Sequence, residues 1–228
     1  MKTQSIKWIN TFATSTVLIL LTACGSGDKI IDDIVDSVDD KYSAHVNYVN
    51  NTDYSVDFFL KSTLYNESVY ANRFNTVELN AHEMSSAIKH EWISGGKQSK
   101  FAAENAVNQS DRTSQKIDLI DKKNYWAVAW LNQDEPEIDV FQKSASDTSG
   151  VYKVRVFSSE NAVVKNTYKD EIITSASQGE VSGSFALENC SDLSVANIAI
   201  DLCQQANLGN SYLVVVDVQR SQVTIVRE

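Results

Sequence analysis

Two His-Glu pairs, His82-Glu83 and His90-Glu91, fall within one short segment, HEMSSAIKHEW at 82–92. They are the side chains of this chain best suited to metal-assisted hydrolysis. Imidazole nitrogens bind zinc, and an adjacent carboxylate can serve as general base. The spacing does not fit the helical zinc-protease motif, which needs a second histidine four residues after the first; position 86 is Ser86. His82 and His90 are eight residues apart, a separation of about 12 Å along a helix. Serine chemistry fares no better. A nucleophile elbow reads Gly-x-Ser-x-Gly, and the nearest pieces are Gly25-Ser26-Gly27 and Ser182-Gly183-Ser184. Adjacent acids occur at Asp32-Asp33, Asp39-Asp40 and Asp134-Glu135. A catalytic carboxyl needs burial or a close like charge to raise its pKa, and open polar segments supply neither. The sequence also contains no phosphate-binding glycine loop, EF-hand loop or haem motif. The expectation is a protein that is not an enzyme, with no catalytic residue, metal ligand or cofactor. A divergent envelope hydrolase centred on His82 and His90 stands as the alternative.

Cysteine chemistry is more informative. Cys24 follows a short segment with Lys2 and Lys7 and an apolar run from about Phe12 to Leu21. That order, positive then apolar then small, is an export signal. The run is shorter than the roughly 20 residues that cross a bilayer. Leu21-Thr22-Ala23-Cys24 resembles the lipobox of bacterial lipoproteins. The resemblance implies cleavage after residue 23, diacylglycerol on the Cys24 thiol and an acyl chain such as palmitate on its amine. Several acyl chains make a lasting anchor, because each buried methylene adds about 0.8 kcal/mol. With Gly25 and not Asp after the cysteine, the resemblance favours the outer membrane. The signal peptide is thus 1–23. With Cys24 on lipid, Cys190 and Cys203 remain as a pair in an oxidising compartment, where a disulfide is expected.

Removal of residues 1–23 takes away two lysines and leaves 20 − 2 = 18 basic against 30 acidic residues, a net charge of −12. That balance argues against nucleic acid as partner and against docking on anionic headgroups by charge. Contact with the membrane is expected through the lipid alone, and the remaining partner is an envelope protein or a glycan. Residues 24–41 carry the lipidated cysteine and an aspartate-rich stretch, read as a solvated tether; Ile30, Ile34 and Val38 would also share one face of a short helix.

From residue 42 the apolar pattern has mostly a period of two. SVDFFLK sets Val56, Phe58 and Leu60 against Asp57 and Lys61. VYKVRVF sets Tyr152, Val154 and Val156 against Lys153 and Arg155. YWAVAWL, 125–131, is apolar on both faces, as a central strand would be. Turn signals at Gly95-Gly96, Gln133–Glu137 with the only proline, Pro136, and Gly150, Gly179 and Gly209 separate these runs, and many short strands so divided mean a sandwich or barrel. Asp57 and Asp139 are expected to point outward. Tyr54, Tyr65, Tyr70, Phe74 and Trp92 cluster in the first half, where they serve as core or as a glycan or peptide platform.

Internal repetition is visible in two registers. VNYVNNTDYSVDFFLKS (46–62) aligns without gaps on VAWLNQDEPEIDVFQKS (128–144), with six identities in 17 positions. A second register pairs 125–143 with 212–228, and AHVNYVNN with YKVRVFSS at 152–159. Only one can be ancestral, and the second gives each half the same opening and closing strands. Val46-x-x-x-Asn50, Val56-Asp57-Phe58, the Tyr125–Val128 strand and Gly150-Val151-Tyr152-Lys153-Val154-Arg155-Val156 together resemble an uncharacterised group of bacterial extracellular domains. These are immunoglobulin-like and often occur on lipoproteins. Here Asn51-Thr52-Asp53-Tyr54 stands where that group has a proline-rich turn, and Val-Asp is missing after Ala162.

The expected fold is all-β: an immunoglobulin-like antiparallel β-sandwich in two tandem or intertwined copies, 42–148 and 149–228, or else one domain over 42–228. SDLSVANIAIDLCQQANLG (191–209) reads either as a helix capped by Ser191 or as a strand with Ala196, Ile198, Ile200 and Leu202 alternating. An unbroken helix would hold Cys190 and Cys203 about 20 Å apart, beyond the roughly 4.4–6.8 Å a disulfide spans. The bond is kept and the helix given up. The whole is read as a lipid-anchored protein of the bacterial cell envelope with a non-catalytic binding or scaffolding role.

Overall fold

Alternating apolar residues settle the secondary structure almost everywhere. The computed structural model describes Ile31 and residues 41–228; the signal peptide, Cys24 and nearly all of the tether lie outside the described residues. The first eight strands are β1 (Tyr42–Asn50), β2 (Val56–Ser62), β3 (Asn75–Leu79), β4 (Ile88–Trp92), β5 (Gln98–Asn105), β6 (Arg112–Asp118), β7 (Asn124–Asn132) and β8 (Glu135–Gln142). The next eight are β9 (Tyr152–Ser158), β10 (Ala162–Asn166), β11 (Glu171–Ala176), β12 (Phe185–Leu187), β13 (Leu193–Val195), β14 (Ile198–Ile200), β15 (Ser211–Asp217) and β16 (Gln222–Arg227). Among the described residues a 3-10 turn at Asn72–Phe74 interrupts them.

The strands form four sheets, ordered β4-β1-β7-β8, β3-β2-β5-β6, β12-β9-β15-β16 and β11-β10-β13-β14. The first two close on a core that includes Val46, Tyr48, Phe58, Phe101 and Ala127. The last two close on a core that includes Val154, Val164, Leu187, Leu193 and Val214. The fold is therefore all-β, as two sandwiches. Among the strand pairs, one in each departs from a purely antiparallel arrangement. β1 runs parallel to β7, and β9 parallel to β15, because the chain crosses to the other sheet and back between them.

The two sandwiches have one topology, with β1 matching β9 and so on to β8 and β16. Details repeat as well. The β2–β3 pair shifts register at Phe58/Phe59 and the β10–β11 pair at Val164/Lys165. The Tyr125 hydroxyl accepts from the Ile120 N–H, and the Tyr212 hydroxyl accepts from the Asn207 N–H, each five residues upstream. A tyrosine hydroxyl tied back to upstream backbone at the start of a late strand is a mark of immunoglobulin-like sandwiches. This equivalence is the second of the two sequence registers. The gapless one superimposes β1 on its sheet neighbour β7, and β2 on β8 of the other sheet, and neither pair are counterparts.

The sandwiches pack back to back. Val49, Trp126, Val128 and Trp130 meet Phe157, Leu213, Val215 and Val226 in a third apolar cluster. The two-faced strand at 125–131 is explained by this seam: Tyr125, Ala127 and Ala129 enter the first core while Trp126, Val128 and Trp130 enter the seam. β15 divides in the same way. Two polar side chains are drawn in with it. Arg155 is buried and bonds Glu228. Asp139, expected to point outward, accepts a 2.6 Å hydrogen bond from the Trp130 indole, and burial raises its carboxyl pKa. At the rim, Arg220 pairs with Asp217 of its own sandwich and with Asp53 and Asp134 of the other.

Cys190 and Cys203 form the expected disulfide, with Cα atoms 4.9 Å apart. The segment between them is neither of the two forms expected from its sequence. β13 and β14 make a hairpin, turning at Ala196 and Asn197, which both take positive φ (50° and 67°). Two consecutive left-handed residues are the mark of the tight turn that matches strand twist. Asn favours that backbone, but Ala196 gave no such signal.

Candidate binding cleft

The sandwiches differ most in one connection. Between β2 and β3 lie twelve residues, 63–74, where the β10–β11 connection has four, 167–170. The longer loop does two things. Its Val69 and Tyr70 cover Phe59 and Ala102 on the outer face of their sheet, and the Tyr70 hydroxyl donates to the Thr113 carbonyl at 2.9 Å. Its ends, with the last turn of β2 and with β4, enclose an open cleft of about 330 Å³.

Lys61 holds the loop in place. Its side chain is nearly enclosed, and its ammonium donates to the carbonyls of Tyr65 and Glu67. The Arg73 guanidinium lies over both Tyr65 and Phe74, 4.8 and 4.6 Å from the ring centroids. Glu67 accepts from its Nε at 2.8 Å. A planar cation stacked on two rings gains cation–π attraction and loses little entropy on meeting a ligand. The two rings and the Glu67 carboxylate thus fix the Arg73 guanidinium on the cleft wall.

The opposite wall is β4, the edge strand of its sheet, which pairs only with β1 among the described residues. Register equivalence makes its histidine conspicuous. Ile88 pairs with Val46 as Phe185 pairs with Val154, so His90 occupies the position held by Leu187 in the second sandwich. Leu187 is core. His90 is a polar replacement at a core position, its Nε2 3.3 Å from the fully buried Ser99 hydroxyl and its ring stacked near Trp92. Burial lowers its pKa to about 4, against the opposing pull of Glu91, so the ring is neutral at neutral pH. Histidine beside serine is the pairing that activates a hydroxyl nucleophile. Ser99, however, is 0 % exposed, and no substrate carbonyl can reach it.

Of the four residues in the two His-Glu pairs, only His90 and Glu91 line the cleft. Glu91 faces solvent with Lys89 at 2.7 Å, which lowers its pKa. His82 adopts positive φ (61°) in the turn after β3, and its Nδ1 is buried without a hydrogen-bond partner among the described residues. Glu83 caps the Asn80 N–H in that turn. No group of three metal-binding side chains gathers among the described residues. The aromatic residues divide. Tyr65, Phe74 and Trp92 line the cleft, Tyr70 packs on Phe59, and Tyr54 packs against the first core. Trp92 is only 3 % exposed and Phe74 9 %, which makes them walls and not an open stacking surface. Sequence reasoning missed Arg73 and Lys61; the unequal length of two matching loops was the available signal.

No helix among the described residues is long and apolar enough to cross a membrane. No protein-family profile and no curated protein matches this chain. Among solved structures, it is similar to a candidate cell adhesion protein from Bacteroides uniformis at 8 % identity, over 84 % of this chain and 97 % of that one, with a TM-score of 0.19. That likeness is too slight to carry an argument about function.

Proposed function

We propose that this protein is a non-catalytic binding protein of the bacterial cell envelope, anchored by lipid at Cys24, with the cleft between β4 and the 63–74 loop as its ligand site. One observation carries the reading. The second sandwich completes the same fold with a four-residue connection and with Leu187 in its core. The first sandwich spends a longer loop and a core position on assembling Arg73, Tyr65 and His90 around an opening. A fold does not require those residues, so their gathering is a sign of recognition.

The test compares retention of the full detergent-solubilised protein on isolated envelope material with that of Arg73→Ala and Tyr65→Ala variants. Saturable retention that falls about tenfold or more in the variants, at unchanged unfolding temperature, is the expected result. Equal retention by all three removes the cleft as the site, and turnover of an envelope component by the wild type removes the non-catalytic reading.

A further inference from the structure

We infer that the cleft receives an extended peptide segment of a partner protein, which adds to β4 as a further strand and presents an acidic side chain to Arg73. The inference rests on the reading of the cleft as a ligand site and names the class of ligand. Three consecutive residues of β4, His90, Glu91 and Trp92, line the opening together with Ile93 just beyond the strand. Successive side chains of a strand point to opposite faces, so consecutive residues line one cavity only where the strand's backbone edge faces it. That edge makes no strand pairing among the described residues. Unpaired edge N–H and C=O groups are the template for strand addition.

The alternative ligand for an aromatic cleft is a sugar, which needs an exposed ring face. Trp92 and Phe74 are nearly closed, and Arg73 lies across the rings of Tyr65 and Phe74. The backbone edge is the open element here, and it suits a peptide. Lys89 and Glu91 on the same strand are exposed. Charges on an edge discourage indiscriminate pairing and select a complementary strand. The second sandwich lacks the arrangement: β12 has three residues where β4 has five, and no long loop flanks it.

The probe is a display library of random linear peptides selected on the full detergent-solubilised protein, run beside acidic oligosaccharides. Enriched peptides are expected to carry an acidic residue, to slow amide exchange at Lys89–Trp92 by about tenfold or more, and to lose affinity about tenfold with Arg73→Ala. N-methylation of alternate peptide residues is expected to abolish binding, while the thermal unfolding of each variant shows whether the fold persists. Failure to enrich any peptide, or peptides indifferent to N-methylation or to Arg73→Ala, overturns the inference. If only oligosaccharides bind, and Arg73→Ala abolishes that binding, the peptide inference falls and the ligand site stands. If neither class binds at the cleft, both fall.

Discussion

Arg155 and Glu228 form an ion pair enclosed by the seam: the guanidinium Nε donates to Glu228 Oε1 at 2.8 Å, and their side chains are 10 % and 1 % exposed. Glu228 Oε2 accepts from the Trp126 indole and the Ser144 N–H. One carboxylate thus ties β7 of the first sandwich, the linker and β9 of the second. Removing one partner of a buried pair leaves the other charge stranded, at about 3–5 kcal/mol. Glu228→Gln is expected to destabilise the whole protein by that order in urea unfolding. Replacing both residues with apolar ones of similar size is expected to recover much of the loss.

His90 makes stability depend on pH in a defined direction. Its folded pKa, about 4, lies below the unfolded value of about 6.5. As pH falls, the unfolded chain takes up this proton first, so stability is full above about pH 6.5 and declines towards pH 4, by up to roughly 3 kcal/mol. His90→Leu, which installs the residue type of the matching position, is expected to abolish this part of the decline. Parallel urea titrations of both proteins near neutrality and near pH 4.5 measure it; a loss of stability equal in the two proteins counts against a half-buried neutral imidazole.

Gly179 adopts φ +69°, and a Cβ built there would lie 2.9 Å from Trp130 Cζ2 and 3.2 Å from the Asp139 carboxylate. Trp130 sits in the seam, where it cannot retreat. Gly179→Ala is expected to cost about 1–3 kcal/mol from backbone strain and overpacking, read as a lower unfolding temperature. An unchanged midpoint would mean the seam yields there.

The disulfide closes a short loop around the β13–β14 hairpin. Reduction, or the Cys190→Ser, Cys203→Ser pair, is expected to cost about 3 kcal/mol by chain entropy. Loss of exchange protection is expected to begin at the residues 188–206 that the bond encloses and flanks.

Cys24→Ser is expected to eliminate labelling by a palmitate analogue and to move the protein from the membrane fraction to the soluble one. Retention at the membrane without label would assign the anchor to another part of the chain.

Strand positions and the disulfide were legible because each rests on local signals: alternation in SVDFFLK and VYKVRVF, and a cysteine count freed of Cys24. The repeat was legible only as a choice between registers, since strand pattern alone cannot distinguish a counterpart from a neighbour. The seam was half legible. YWAVAWL announces burial on both faces but not what lies against the second. For that reason Asp139 was expected to point outward. The cleft was least legible, because its parts come from β2, the 63–74 loop and β4, and His90 stands out only once register sets it against Leu187.

The parallel pairing of β1 with β7 has a mechanical consequence. His45–Asn50 lie in continuous register with Asn124–Ala129, and β1 is held on its other side by β4. A pull from the amino-terminal side runs along the axis of β1, so the hydrogen bonds on both flanks bear it together in shear and do not unzip one at a time. A partner gripping β4 would apply the opposing force one strand away. The β1–β4 pairing would then carry that load in shear, while the β1–β7 pairing holds the other flank of β1.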